Sequence, residues 1–338
     1  MRAWHVTGPE GPDALKPVEL TDPEPGPGEV LVRLRAVSLN SRDLAVTRGT
    51  YRGGGLTYPL VPVSDGAGEI EALGRGVEGL AVGDAVMPAF FPRWISGPPE
   101  AASFSESFGE GRAGLLAEKI AVRAVSVAPL PEGFSFEQAA CLPCAGVTAW
   151  NATFMGQPVR PGETVVTQGS GGVALFVLAF AKAAGARVIA TTSSGEKCAR
   201  LTGLGADATI NYTETPDWDK AVLELTGGEG ADLVVDVAGP VTLPRSLAAV
   251  RPGGRVTVIG AMGGPGDINP MAIAGKSISV RGMYVGSRAM FASMNAAIAA
   301  NGLRPVVDSV FAFAEAPDAY RYLADRNHFG KVCIAVGG

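Results

Sequence analysis

The sequence predicts an α/β protein of two domains, a β-rich domain and a doubly wound parallel sheet. Three observations carry that prediction. The 338-residue chain exceeds the size at which a single core keeps growing. Its first third reads as short strands punctuated by turns. From about residue 125, short apolar strands alternate with amphipathic helical stretches, the rhythm of βαβ units. Apolar residues make up 47% of the chain and charged ones 18%, enough to bury a core and too apolar for disorder.

In the first domain, residues 29–37 alternate faces, and Gly53-Gly54-Gly55 and Pro59 break the pattern soon after. Residues 92–114, rich in Gly, Pro, Ser and Glu, form a long polar loop that either lines a site or covers surface. The second domain has strands at 164–167, 187–191, 209–211, 232–236 and 255–259, with helices near 172–184, 195–203, 217–226 and 241–250 between them. Residues 277–285 supply a sixth strand. The tail contains a helix near 288–301, a strand at 310–313, a helix near 315–324 and a last strand at 331–336, and these strands are additions to the first domain. The predicted division is therefore 1–124 completed by 287–338, and 125–286.

The formal net charge of −5 and the absence of any run of five Lys/Arg remove nucleic acid and anionic membrane from the expected partners. The start lacks the apolar stretch of a signal peptide and the longest apolar run, 173–181, is too short to cross a bilayer, so a cytoplasmic location is expected. Four cysteines, Cys141, Cys144, Cys198 and Cys333, do not make a disulfide framework. Cys141-x-x-Cys144 resembles half a zinc or redox site. No second pair exists and only His5 and His328 could add imidazole, so both thiols read as packing residues.

After the strand at 164–167 comes Gln168-Gly169-Ser170-Gly171-Gly172-Val173-Ala174, which fits G-x-G-x-x-G/A with Ala174 in the last place. Gly169 permits the tight turn, Gly171 lets backbone approach a pyrophosphate, and Ala174 allows close packing of helix on strand. The amides at the helix start, over Ser170, Gly171, Gly172 and Val173, then meet the anion. A tight surface turn is the plain alternative; its place between strand and helix favours a dinucleotide.

Where NAD-binding versions carry an acid on the ribose, this chain has Thr191-Thr192-Ser193-Ser194-Gly195-Glu196-Lys197. Hydroxyls, amides and Lys197 suit a 2′-phosphate, because they donate to an anion. NADPH is favoured over NADH. In the alternative, Ser194 simply caps the next helix and Lys197 is a solvated charge.

Taken together, Ser38-Leu39-Asn40-Ser41-Arg42-Asp43, Ser64-Asp65-Gly66-Ala67-Gly68, Val82-Gly83-Asp84-Ala85-Val86, Ala145-Gly146-Val147-Thr148-Ala149-Trp150, the glycine turn and His328-Phe329-Gly330-Lys331-Val332 resemble the medium-chain dehydrogenase/reductase superfamily. The resemblance is closer to its zinc-free, quinone-oxidoreductase-like branch and covers nearly the whole chain. It implies a GroES-like substrate domain, a Rossmann nucleotide domain and a cleft between them. Zinc-dependent relatives hold the catalytic metal with Cys, His and Cys; the corresponding places here are Asn40, Ser64 and Cys144. One thiol cannot hold a catalytic zinc, which needs three protein ligands, and the loop that carries structural cysteines in those relatives has none here. No metal is expected. The resemblance further implies cofactor contacts from Asn40 and Thr148 beside the nicotinamide, from Ser193, Lys197 and Tyr212 at the 2′-phosphate, and from Ile259, Gly260, Ser287, Phe329 and Lys331.

Without a metal, side chains or water must stabilise the charge that develops on hydride transfer. Gly49-Thr50-Tyr51 resembles the Gly-x-Tyr segment of zinc-free enoyl and quinone reductases, which makes Tyr51 the expected polar catalyst, with Asn40 orienting substrate or nicotinamide. Asp43 reads as a structural carboxylate. The expected reaction is NADPH-dependent reduction of a small conjugated carbonyl, an enal, enone or quinone. Alcohol/carbonyl oxidoreduction and a non-enzymatic NADPH-binding role are the alternatives. The expected assembly is a homodimer pairing along the sixth strand.

Overall fold

The computed structural model describes residues 1–260 and 266–337. It divides into two compact units, Met1–Val147 with Gly286–Gly338, and Thr148–Val285.

The first unit opens with an antiparallel hairpin of β1 (Arg2–Val6) and β2 (Leu15–Glu19). There follow β3 (Glu29–Leu39), the short helix α1 (Ser41–Thr47), β4 (Asp65–Leu73), β5 (Ala85–Pro88), β6 (Lys119–Arg123), β7 (Val127–Pro129) and α2 (Phe136–Ala140). Helix α3 (Val147–Phe154) leads into the second unit, which continues as β8 (Thr164–Gln168), α4 (Gly172–Ala183), β9 (Arg187–Thr192), α5 (Gly195–Gly203), β10 (Ala208–Asn211) and α6 (Trp218–Leu225). Next come β11 (Ala231–Asp236), α7 (Leu243–Ala249), β12 (Val250–Val258), α8 (Pro270–Ala274) and β13 (Ser279–Gly282). The chain then returns to the first unit with α9 (Arg288–Asn301), β14 (Val307–Ala312), α10 (Ala316–Ala324) and β15 (Lys331–Ala335).

Among the described residues, the second unit's strands form one sheet in the order β10-β9-β8-β11-β12-β13, every neighbouring pair parallel. The order reverses between β8 and β11, the switch point at which open α/β sheets bind ligands beyond their strand ends. Its core is aliphatic: Val166, Ile189, Val234, Val250 and Val256 of the strands pack against Trp218, Val222, Leu243 and Leu247 of the helices. The α4 helix is apolar nearly all round because it is covered, with Ala174 to Leu178 buried. Ser194 and Ser287 start α5 and α9, their hydroxyls accepting from the amides of Lys197 and Met290. Gly302, with φ of 60°, ends α9 in the left-handed region.

In the first unit β3 lies centrally, bonded to β4, β6 and β15, and is accordingly buried along most of its length. The tail strands complete this sheet: β15 pairs with β3, Val332 opposite Leu39, and β14 lies outside it.

One boundary differs from the sequence expectation. Residues 125–147, assigned by sequence to the nucleotide domain, pack in the first unit. There β7 pairs with β5, Ser38 Oγ donates to the Ala140 carbonyl (2.8 Å), and Cys141 meets Cys333 with Sγ atoms 3.6 Å apart. The composition of that stretch carries no trace of these long-range pairings. In residues 92–114, which the sequence reads as either site lining or surface cover, Trp94 and Phe104 pack at 5.5 Å and Phe104 against Phe91 at 5.2 Å, with Phe108 buried. A few large rings anchor a loop whose average composition is polar. Among the described residues no helix is long and apolar enough to cross a membrane.

Candidate functional site

The sheet of the first unit brings together residues far apart in sequence. Register places Asp65, the first residue of β4, opposite Ser38 near the end of β3, and Lys331, the first of β15, beside the Leu39–Asn40 junction. Asn40 and Asp65 are joined directly, the Asn40 Nδ2 donating to Asp65 Oδ2 (3.0 Å). Lys331 Nζ donates to Asn40 Oδ1 and to the Leu39 carbonyl, each at 2.6 Å. Ser64 Oγ donates to Asp65 Oδ1 (2.9 Å), and the Cys144 amide, from the turn after α2, donates to Asp65 Oδ2 (3.2 Å). Asp65 is fully buried and Lys331 is 3% exposed, whereas Asn40 is partly exposed. Burial pushes the Asp65 carboxyl up from the usual range, opposed by the Lys331 charge and by donors from Asn40, Ser64 and Cys144. The Cys144 thiol is pushed well up, chiefly by burial and next by the neighbouring Asp65 carboxylate.

These residues do not fit a zinc ion. Asn40 Oδ1 already faces an ammonium and Ser64 Oγ is committed to Asp65, which leaves the Cys144 thiol as a single candidate ligand where a catalytic zinc needs three. Among the described residues no group of three His, Cys, Asp or Glu could hold a metal.

Helix α1 links Asn40 to Tyr51. The Asn40 amide donates to Asp43 Oδ2 (2.8 Å), and Asp43 pairs with Arg42 at 3.1 Å. Burial raises the Asp43 carboxyl to about 6, with the Arg42 charge and the Asn40 amide opposing. The Arg42 guanidinium lies 4.5 Å from the centre of the Tyr51 ring and 5.3 Å from that of Phe90. Tyr51 is 8% exposed, so its phenol sits in a covered, cation-bearing surround. Gly49, φ 66°, turns the chain toward it; a Cβ there would meet Pro9 Cβ at 3.0 Å.

In the second unit Gly169 has φ of 86°, in the region that favours glycine. A Cβ built on Gly169 or Gly171 meets nothing within 4 Å, so the approach to the start of α4 is open, as a bound pyrophosphate requires. Ser170 is buried, while Gly172 and Val173 form the first turn of α4. Ser193 and Tyr212 are neighbours: each follows the end of its strand, β9 or β10, Asn211 stands opposite Thr192, the Thr213 hydroxyl donates to the Ser193 carbonyl (3.4 Å), and the Tyr212 ring is exposed. Lys197 lies in the first turn of α5, which follows β9, and its backbone amide donates to the Ser194 cap.

Ile259 and Gly260 follow β12, the Ile259 amide donating to the Asp236 carbonyl (2.9 Å). A Cβ on Gly260 would stand 1.8 Å from the Val237 oxygen, so two backbones touch here and no other residue fits. Thr148 is buried at the start of α3. Ser287 is committed to capping α9, and the Phe329 amide donates to Asp308 (3.0 Å). Lys331, expected as a cofactor contact, is bonded to Asn40 and Leu39.

Sequence reasoning missed the network at the switch point. Gln168 Nε2 donates to Ser246 Oγ (2.9 Å) and Ser246 Oγ to Asp236 Oδ2 (2.6 Å), while Asp236 Oδ1 accepts from the Gly239 amide (2.7 Å) and Thr242 Oγ1 (2.8 Å). The signal was Asp236 closing a strand of aliphatics, where a buried acid must find partners. It also missed Asp65 as the hub around Asn40, though Ser64-Asp65 stood in a quoted motif.

The family described as "Alcohol dehydrogenase GroES-like domain" matches residues 26–132, and "Zinc-binding dehydrogenase" matches residues 172–300. A zinc-type alcohol dehydrogenase-like protein of Schizosaccharomyces pombe is 42% identical over 334 residues, 96% of each chain. A quinone oxidoreductase of Pseudomonas aeruginosa is 34% identical over 335 residues, again 96% of each. Among solved structures, an NAD-dependent alcohol dehydrogenase aligns with a TM-score of 0.90 at 36% identity over 100% of both chains. A mycobacterial protein complexed with NADPH aligns with a TM-score of 0.83 at 29% identity over 99% of both. With its two family domains in order and this likeness over its whole length, the chain belongs to the medium-chain dehydrogenase/reductase superfamily and is an oxidoreductase.

Proposed function

We propose that this enzyme reduces a small conjugated carbonyl, an enal, enone or quinone, with NADPH and without zinc. The observation that carries the reading is the cluster around Asn40: of the three places that correspond by resemblance to metal ligands, two hold the Asn40 amide, bonded to Lys331 and Asp65, and the Ser64 hydroxyl, bonded to Asp65. The glycine turn and Ser193, Lys197 and Tyr212 support NADPH, as does the NADPH-bound mycobacterial neighbour; the quinone oxidoreductase among the relatives supports the substrate class.

Bound NADPH supplies the hydride. Asn40 Nδ2 donates to the substrate oxygen as negative charge develops there. Tyr51, held against Arg42, supplies the proton or hydrogen bond that completes reduction. Within the second unit, Gly169 to Val173 would hold the pyrophosphate, with Thr148, Ile259 and Gly260 as further cofactor contacts. We propose a cytoplasmic homodimer formed along β13, an edge strand with Val280 exposed.

The test is a panel of enones, quinones, ketones and alcohols with NADPH and NADH, together with zinc analysis and assays in chelator. Enone or quinone turnover with NADPH, at far less than one zinc per chain, is the expected result. Chelator-sensitive alcohol oxidation with stoichiometric zinc would replace this reading with the alcohol dehydrogenase alternative, which the names of two relatives favour.

A further inference from the structure

We propose that Lys331 and Asp65 are positioning residues that lock the side-chain amide of Asn40 in one orientation, leaving its second Nδ2 hydrogen as the fixed donor to the substrate oxygen. The inference rests on the reductase reading above and assigns the roles inside it. An ammonium carries donors and no acceptor, so the Asn40 atom 2.6 Å from Lys331 Nζ must be the carbonyl oxygen. A carboxylate accepts, so the atom 3.0 Å from Asp65 must be the nitrogen. Flipping the amide would set NH2 against ammonium and oxygen against carboxylate, between two side chains that water does not reach.

Both clamps are themselves held. Lys331 is fixed by the Leu39 carbonyl, and Asp65 by Ser64 Oγ and the Cys144 amide. The Asn40 backbone is fixed by Asp43. One hydrogen of Nδ2 is used by Asp65, and the other belongs to the member of the trio that is partly exposed. The buried ammonium on Oδ1 also draws electron density through the amide, which strengthens the outward N–H as a donor. Lys331 thus serves the substrate oxygen through Asn40.

The experiment uses the full chain with 15N-labelled side-chain amides, the Asn40 pair being identified by its loss in Asn40→Asp. In Lys331→Met both Asn40 resonances should shift and exchange faster with water, and Lys331→Arg should restore them. Unchanged Asn40 resonances in Lys331→Met would overturn the proposal whatever the enzyme reduces. In turnover, Lys331→Met should lower kcat about 10–100-fold, as misplacement of a catalytic group does, with NADPH affinity measured separately. The exchange variant Asn40→Asp/Asp65→Asn keeps the same buried groups but loses the outward N–H. It should fold and lose kcat on the order of 10²–10³-fold. Wild-type kcat in that folded variant overturns the proposal, including when Lys331→Met does not fold. Shifted resonances in a protein that turns over no enone or quinone support the lock and sink the reductase reading.

Discussion

The guanidinium of Arg42 and the carboxylate of Asp43 meet at 3.1 Å with both side chains out of solvent, at the start of the helix that separates Asn40 from Tyr51. Burial raises Asp43 to about 6 despite that cation, so the folded chain keeps a proton that the unfolded chain releases near the ordinary carboxylate value. The contribution of Asp43 is therefore fully present below about pH 4 and is lost as pH rises toward about 6, a change of about 3 kcal/mol. Urea midpoints of wild type and Asp43→Asn between those limits should diverge in slope, the variant lacking this decline. Parallel slopes would mean that Asp43 is ionised throughout.

Lys197 is expected to distinguish the two nicotinamide cofactors. On the NADPH reading proposed above, Lys197 in the first turn of α5 would give a 2′-phosphate a charge-assisted contact worth roughly 1.5–3 kcal/mol. Lys197→Ala should weaken NADPH about 10–100-fold and leave NADH nearly unchanged, read by titration of both variants with both cofactors. Equal affinities in the wild type would remove the phosphate site.

Gly260→Ala tests the touch of two backbones after β11 and β12. The new Cβ would stand 1.8 Å from the Val237 oxygen, and backbone cannot yield as a flexible side chain does. Stability should fall by about 1–3 kcal/mol, the usual range for overpacking, with cofactor affinity reduced as well. Thermal melts with and without NADPH provide the measurement, and an unchanged Tm would show that the strands separate freely.

Tyr51→Phe removes the phenol while retaining the ring under Arg42. If Tyr51 donates in the transition state, kcat should drop about 10²–10⁴-fold with cofactor affinity barely moved. Single-turnover measurement keeps product release from masking the effect. A variant that reacts at the wild-type rate would pass the proton-donor role to an ordered water.

Much of this protein was determined by local sequence. Apolar strands alternating with amphipathic helices specify a parallel sheet because each element must bury one face, and α5 and α9 begin at Ser194 and Ser287, at the predicted starts. The glycine turn was legible because a tight turn into a helix needs glycine wherever it occurs. Ser193 and Tyr212 each follow the end of a predicted strand, which is why their places in the fold were legible. Tertiary structure decided the rest. Asn40, Asp65, Cys144 and Lys331 are separated by up to 291 positions, and pairing of β3 with both β15 and β4 sets three of them at one sheet end. That Lys331 bonds Asn40 and Leu39 was not legible in the sequence, because a lysine's partner depends on which acceptor lies within reach of a long, flexible stem. Residues 125–147 joined the first unit for the same reason: strand pairing and buried packing are long-range interactions, and the composition of a segment does not record its distant partner.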